Sequence, residues 1–268
     1  SEGAETLRVA ALVQEDGTVQ LALRCGATQF QVDHFRARCR AARKRPAGSP
    51  PAVVLEGDPM MDGPLALEPG RDLYGSVLFQ AGRFQRLSGY RWLRATECMA
   101  ETAADGATAW FGPYLPGALT LGDPGGRDAA LHAVQACIPH RILLPIAVER
   151  IEFACLPTGR AMVVRARERA RDGDSFTYDI TIGEPGGRVV ERWTGLKLRA
   201  VTATPLPAAW SEPLLAVYLE RRLAELLPGA GLGVAAEPAA NGSGTDHAIQ
   251  LALSGPARIH RRPDGKPE

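Results

Sequence analysis

The chain has 268 residues, 31 Lys+Arg against 30 Asp+Glu, 45% hydrophobic residues and five cysteines. At about 100 to 200 residues per domain this allows one large or two small domains with ample material for a core, while near-zero net charge removes the simplest argument for a nucleic-acid or polyanion binder. Cys25, Cys39, Cys98, Cys137 and Cys155 never form a CxxC pair, which argues against a zinc ribbon or a secreted disulfide framework and for a reducing, cytoplasmic location. The start Ser1-Glu2-Gly3-Ala4-Glu5 lacks a basic and an apolar region, and no run reaches the ~18 uninterrupted apolar residues of a membrane span. Neither a targeting segment nor a membrane association is expected. The missing initiator Met suggests a piece of something longer.

In chain order, Leu7 to Val13 and Val19 to Cys25 are apolar stretches joined across Asp16-Gly17, a hairpin signal. Gln29 to Arg40 is expected to add a third strand. Residues 41–70 hold Pro46, Pro50, Pro51, Pro59, Pro64 and Pro69, a density that stops helix and central strand alike and reads as a connection. Arg91 to Thr102 reads as one strand and Asp128 to Ile138 as a short helix stopped at Pro139. Long strands follow at Ala161 to Arg171, Ser175 to Gly183 and Arg188 to Ala203, separated by the turn signals Asp172-Gly173 and Pro185-Gly186-Gly187. After the break at Thr204 to Pro213, Leu214 to Leu227 looks like an amphipathic helix with Glu220, Arg221 and Arg222 on its polar face. One helix followed by long antiparallel strands predicts an α+β unit with a sheet around a helix.

Asp128 and His132 are four residues apart, so one helical face presents both. A carboxyl group there can deliver a proton to a leaving hydroxyl if its surroundings keep it protonated; equally, it can be an ordinary first-turn acid beside a half-exposed histidine. Tyr74-Gly75, Phe79-Gln80 and Gly82-Arg83-Phe84 concentrate aromatics and glycine, fit to wall an acyl chain or simply to enter a core strand. Arg165, Arg167, Arg169 and Arg171 alternate along one strand, a stripe that either docks an acidic carrier or is a solvated face. His34, His140, His247 and His260 have no metal-ligand spacing with Cys or acid, so no metal is expected. There is no GxGxxG before a helix, no phosphate loop and no GxSxG elbow.

The stretch from Gly122 to His140 resembles the second half of a polyketide synthase dehydratase domain, whose D-x-x-x-Q/H signature Asp128 and His132 fill. Tyr74-Gly75 to Phe79-Gln80 resembles that family's entry to its second hotdog fold, and Leu144-Pro145 falls where its sheet resumes. Leu78 to Arg86 and Trp110 to Pro116 are most similar to iterative enediyne synthases, and Trp210 to Leu227 with Arg261 to Glu268 resembles the opening of their phosphopantetheinyl transferase domain, without its later magnesium and coenzyme A motifs. The resemblance implies a double-hotdog α+β fold with an incomplete first hotdog: its last strands at 1–40, a linker at 41–70, the second hotdog at 71–204, and a linker leading into a transferase-like domain at 205–268. The family's H-x-x-x-G-x-x-x-x-P base motif is absent, and His34 does not fit it.

By the same resemblance, the chain removes water from a β-hydroxyacyl thioester during polyene assembly, with Asp128 as acid, His132 orienting it, and Tyr74, Phe79, Gly82 and Pro145 binding substrate. No cofactor is implied beyond the phosphopantetheine on the acyl carrier protein that carries the substrate. Expected partners are that carrier, other domains of the same synthase and a second copy in a homodimer, with no nucleic acid or membrane. Two alternatives stand beside this reading: a product-template or cyclase-like pocket, and a non-catalytic structural fragment.

Overall fold

A computed structural model describes residues 4–40, 65–105, 110, 122–153, 159–203, 210–230, 232–236 and 249–253. The chain divides into two compact units, 1–51 and 52–268. Most of the expected linker, and the segments 111–116 and 261–268 that carried part of the resemblance, lie outside the described residues.

In the first unit, β1 (Leu7–Val13), β2 (Thr18–Cys25) and β3 (Phe35–Arg40) form an antiparallel sheet in that order. The hairpin turns where expected: Gly17 has φ 76°, and the Asp16 carboxylate accepts from Thr18 N and Oγ1, each at 2.9 Å. The third strand begins six residues later than expected from Gln29, because Gln29 and Phe30 sit at φ 53° and 60° after a 3-10 turn at Gly26–Thr28. The register sorts most of the side chains. Leu7, Val9, Ala11, Val13, Val19, Leu21, Leu23, Cys25, Phe35, Ala37 and Cys39 share one face, and Arg8, Arg24, Arg36, Arg38 and Arg40 the other. On the apolar face Leu7, Val9, Val13 and Phe35 are all more than 60% exposed.

The second unit is built on a seven-stranded antiparallel sheet. Its strands are β4 (Leu87–Leu93), β5 (Glu97–Thr102), β6 (Arg141–Ala147), β7 (Arg150–Phe153), β8 (Met162–Asp172), β9 (Ser175–Gly183) and β10 (Val189–Ala203). They run in the order β4-β5-β8-β9-β10-β6, with β7 also on β10. The sheet curls around α2 (Pro124–Gln135). Alternation produces this directly: Phe176, Tyr178, Ile180 and Ile182 of β9 point into the core while Ser175, Thr177, Asp179 and Thr181 stay half-buried. Each such inward side chain contributes about 1.5–3 kcal/mol. Gly173 (φ 55°) and Gly187 (φ 87°) close the turns into β9 and β10. A short α1 (Pro69–Asp72) precedes the sheet, α3 (Glu212–Leu226) follows it, and β11 (Leu232–Ala236) pairs with β12 (Ile249–Leu253). This is the α+β hotdog architecture. No helix among the described residues is long and apolar enough to cross a membrane.

Three expectations need correction. The single strand at Arg91 to Thr102 is a hairpin, β4-β5, turning at residues 94–96 without Gly or Pro. The polar face of α3 is not solvated: Glu220 and Arg221 are buried, and Leu214 and Val217 share the core with the sheet. Glu220 accepts from Arg94 at 2.8 Å and from Ala95 N at 3.0 Å, supplying from a distant helix what a turn residue supplies locally. Arg221 donates to Cys137 O, Ala95 O and the Glu168 carboxylate. The arginine stripe is also broken, because β8 bulges between Glu168 and Ala170. Arg165 pairs with Glu97 and Arg169 with Glu149, whereas Arg171 turns to Glu225 of α3 and lies over the core residue Phe176.

Arg221 and Glu168 have side chains only 5% and 10% exposed and lie 2.7 Å apart, and Tyr178 also donates to Glu168. Removing one partner strands the other in the core, so Arg221→Ala should cost about 3–5 kcal/mol in urea unfolding, while the half-exposed Arg222→Ala should cost under about 1 kcal/mol. His140, edge-on to Tyr218 of α3, is held down to about 4 from 6.5 by burial and then by Arg221 and Arg141, against Glu225. The unfolded chain therefore takes up this proton first. Stability carried by neutral His140 should be intact above pH 6.5 and lost as pH falls toward about 4. In urea titrations across that window, His140→Gln should flatten the acid slope.

Candidate active site

The site is set by how α2 starts and by how little bulk it carries. Asp123 caps it, accepting from Gly125 N at 3.1 Å, and Pro124 occupies the first helical position. The helix thus begins four residues before Asp128, which lies in its second turn rather than just inside its start. Ala129, Ala130, Ala133 and Val134 are fully buried. A helix apolar on nearly every side belongs in a core.

The side that remains open carries Asp128, Leu131, His132 and Gln135, the i, i+3, i+4, i+7 pattern of one helical face. These four form the floor of a cavity of about 370 Å³, within the range of small-ligand sites. Its walls are apolar: Val77, Leu78 and Phe84 on one side, Ile142, Leu144 and Leu198 on the other. Gln135 is spent on structure, donating to Ile138 O and Arg141 O and accepting from Leu143 N, which ties β6 to the helix.

Asp128 Oδ2 lies 3.1 Å from His132 Nε2, without the alignment of a hydrogen bond. The carboxylate is about a quarter exposed and the imidazole 2%. Behind the imidazole, Tyr74 Oη is 3.1 Å from His132 Nδ1. Burial pushes the Tyr74 phenol above its ordinary range, against the two backbone N–H groups that it accepts from.

Of the six residues singled out in the sequence, the structure brings Asp128, His132, Phe79 and Pro145 to this cavity. Phe79 is 69% exposed at the mouth, and Pro145 lies on the edge strand β6, where a missing N–H costs no ladder bond. Tyr74 stands behind His132. Gly82 does not line the cavity: it opens a 3-10 turn at φ 60°, a backbone conformation that accounts for glycine there. Sequence reasoning gave Gln80 no separate role, yet its Oε1 is buried at the cavity without a protein hydrogen bond. It also missed the network over the helix start, where Arg86 reaches Ala103 O, Asp105 and Asp123. No spacing rule joins residues from three separate segments. Among the described residues no group of three or more His, Cys, Asp or Glu could hold a metal.

Residues 54–208 match the family described as the polyketide synthase dehydratase N-terminal domain. The chain belongs to the polyketide synthase dehydratase family. Among solved structures it is similar to the dehydratase domain of RzxB from Pseudomonas fluorescens, at 15% identity over 72% of this chain and 68% of that one, TM-score 0.57. It is also similar to the dehydratase domain from the CurH module of curacin polyketide synthase, at 15% identity, 74% and 70% coverage and TM-score 0.55. The bifunctional dehydratase-cyclase domain in ambruticin biosynthesis follows at 21% identity, 75% and 70% coverage and TM-score 0.52. At these identities the likeness is one of fold, and it matches the double-hotdog dehydratase architecture. No curated protein sequence matches.

For this dehydratase-family domain the two adjacent helix glycines make a direct test of the site's construction. A Cβ on Gly125 would stand 2.9 Å from Arg83 O and 3.1 Å from the Trp110 ring, whereas one on Gly126 would meet nothing nearer than an Asp123 side-chain oxygen at 3.4 Å. In chemical unfolding Gly125→Ala should destabilise by about 1–3 kcal/mol, and Gly126→Ala should stabilise by up to about 1 kcal/mol.

Proposed function

We propose that this domain removes water from a β-hydroxyacyl thioester, with Asp128 as the acid. The observation that carries the reading is the helical face on which Asp128 and His132 open together into an apolar cavity. The carboxyl proton passes to the β-hydroxyl as its carbon–oxygen bond breaks, and a base removes the α-proton, whose electron pair forms the double bond. The products are an enoyl thioester and water. His132 orients the acid or the hydroxyl, Phe79 and Pro145 flank the acyl chain, and Tyr74 and Gly82 support the site from behind and beside it.

Among the described lining residues there is one histidine, His132, and on this reading the base is a group other than it; residues 1–40 are taken as strands of a first hotdog. The continuous apolar face of β1–β3 supports counting that sheet as part of a larger fold, since a face of this kind is normally covered. The substrate arrives on the phosphopantetheine of an acyl carrier protein, and other domains of the synthase and a second copy are the further partners. Assignment to an enediyne synthase making a polyene, and continuation into a phosphopantetheinyl transferase domain, rest on sequence resemblance. The packing of α3 into the hotdog core favours counting that helix with the dehydratase.

In the synthase that carries this domain, Asp128→Asn should lower turnover of a β-hydroxyacyl carrier by about 10²- to 10⁴-fold. A wild-type rate would remove Asp128 from the mechanism. The fold it shares with a dehydratase-cyclase keeps a cyclase-like pocket as the second reading. Product analysis separates the two, because only dehydration yields conjugated double bonds.

A further inference from the structure

His132 is 2% exposed, and its two ring nitrogens meet different chemistry. A phenol has one proton to give and two lone pairs with which to accept. Tyr74 Oη lies 3.1 Å from Arg86 N, 3.2 Å from Leu87 N and 3.1 Å from His132 Nδ1. Backbone amides can only donate, so they occupy both lone pairs. The phenolic proton then has one acceptor among these neighbours, the imidazole Nδ1.

We propose that Tyr74 donates to His132 Nδ1 and thereby fixes the neutral ring in the tautomer that carries its proton on Nε2, the nitrogen beside Asp128. The other tautomer would set two N–H groups and a ring N–H against one oxygen and leave the phenolic proton without a partner, a costly state for buried polar groups. Rotating the ring by half a turn would place carbon where the phenol needs an acceptor. The edge-on contact of the two rings, 5.6 Å between centroids at 83°, holds the pair in this relation.

His132 is therefore a donor at the cavity. Its Nε2 is buried with no aligned protein acceptor, 3.1 Å from Asp128 Oδ2. On the dehydratase reading, on which the functional meaning rests, this N–H holds the oxygen of the β-hydroxyl while Asp128 protonates it, and the same tautomer bars His132 from removing the α-proton. Tyr74 is a positioning residue that acts through the imidazole.

The test is a long-range proton–nitrogen correlation spectrum of the full chain labelled with ¹⁵N-histidine, the His132 signals being those lost in His132→Gln. The expected spectrum has a pyridine-type Nδ1 and a pyrrole-type Nε2, and Tyr74→Phe should draw the two shifts toward each other as the tautomers begin to exchange. A protonated Nδ1 in the unsubstituted protein, or an unchanged pattern in Tyr74→Phe, would overturn the proposal. If Tyr74→Phe does not fold, the unsubstituted spectrum decides alone. No substrate enters the measurement, so the tautomer stands or falls separately from the dehydratase reading.

Discussion

Gly125, Gly126, Ala129, Ala130 and Ala133 give α2 so little bulk that a sheet can close around most of its circumference. The rest of the second unit follows from that. Long strands are needed to span the helix; β9 supplies one with strict inward alternation, and β10 supplies the other with two register shifts along it. The curl does not close, and the gap exposes the one stripe of α2 that carries large and polar side chains. Chemistry is placed at the opening because most of the remaining surface of the helix has only room for small apolar side chains. Gly125 marks the limit, where the backbone carbonyl of Arg83 and the ring of Trp110 approach too closely for any side chain.

The polar residues of this stripe differ in how much of their hydrogen-bonding capacity the protein uses. Gln135 spends both ends of its amide on backbone groups of the α2–β6 connection and behaves as a structural clamp. His132 spends one nitrogen on Tyr74 and keeps the other. Gln80, from the loop above, leaves its side-chain oxygen without a protein partner at the same cavity. Unused donors and acceptors are costly in an apolar cavity unless a ligand or water completes them. A cavity with a donor at His132, an acceptor at Gln80 and a carboxyl at Asp128 is matched to a hydroxylated chain rather than to a plain hydrocarbon.

How far the sequence discloses this depends on whether a signal is local. The β1–β2, β8–β9 and β9–β10 turns announce themselves through Asp-Gly and Gly-Gly, and all three are found. The β4–β5 turn carries no such mark, because its exposed backbone is satisfied by Glu220 and Arg221 from more than a hundred residues away. Pro124-Gly125-Gly126 reads locally as a breaker, yet proline suits the first helical turn and Gly125 is demanded by packing. The bulge in β8 is invisible to alternation, so the stripe of four arginines is split between two faces, and Arg165, Arg169 and Arg171 go to separate ion pairs. At the site, Asp128 and His132 are legible from spacing and motif because they lie on one helix. Gln80 reaches the same cavity, and Tyr74 the far side of His132, only through tertiary structure.

The arrangement also bears on how an acid can sit beside an imidazole at one opening. A basic imidazole set against Asp128 would take the carboxyl proton itself, and the two groups would neutralise each other before a substrate arrived. The imidazole that does lie 3.1 Å from Asp128 has its other nitrogen turned away and capped by Tyr74. The α-proton and the β-hydroxyl leave from adjacent carbons, so a second group reaching the substrate from across the cavity can act while the acid keeps its proton. An apolar opening on one side of α2 suits such an approach.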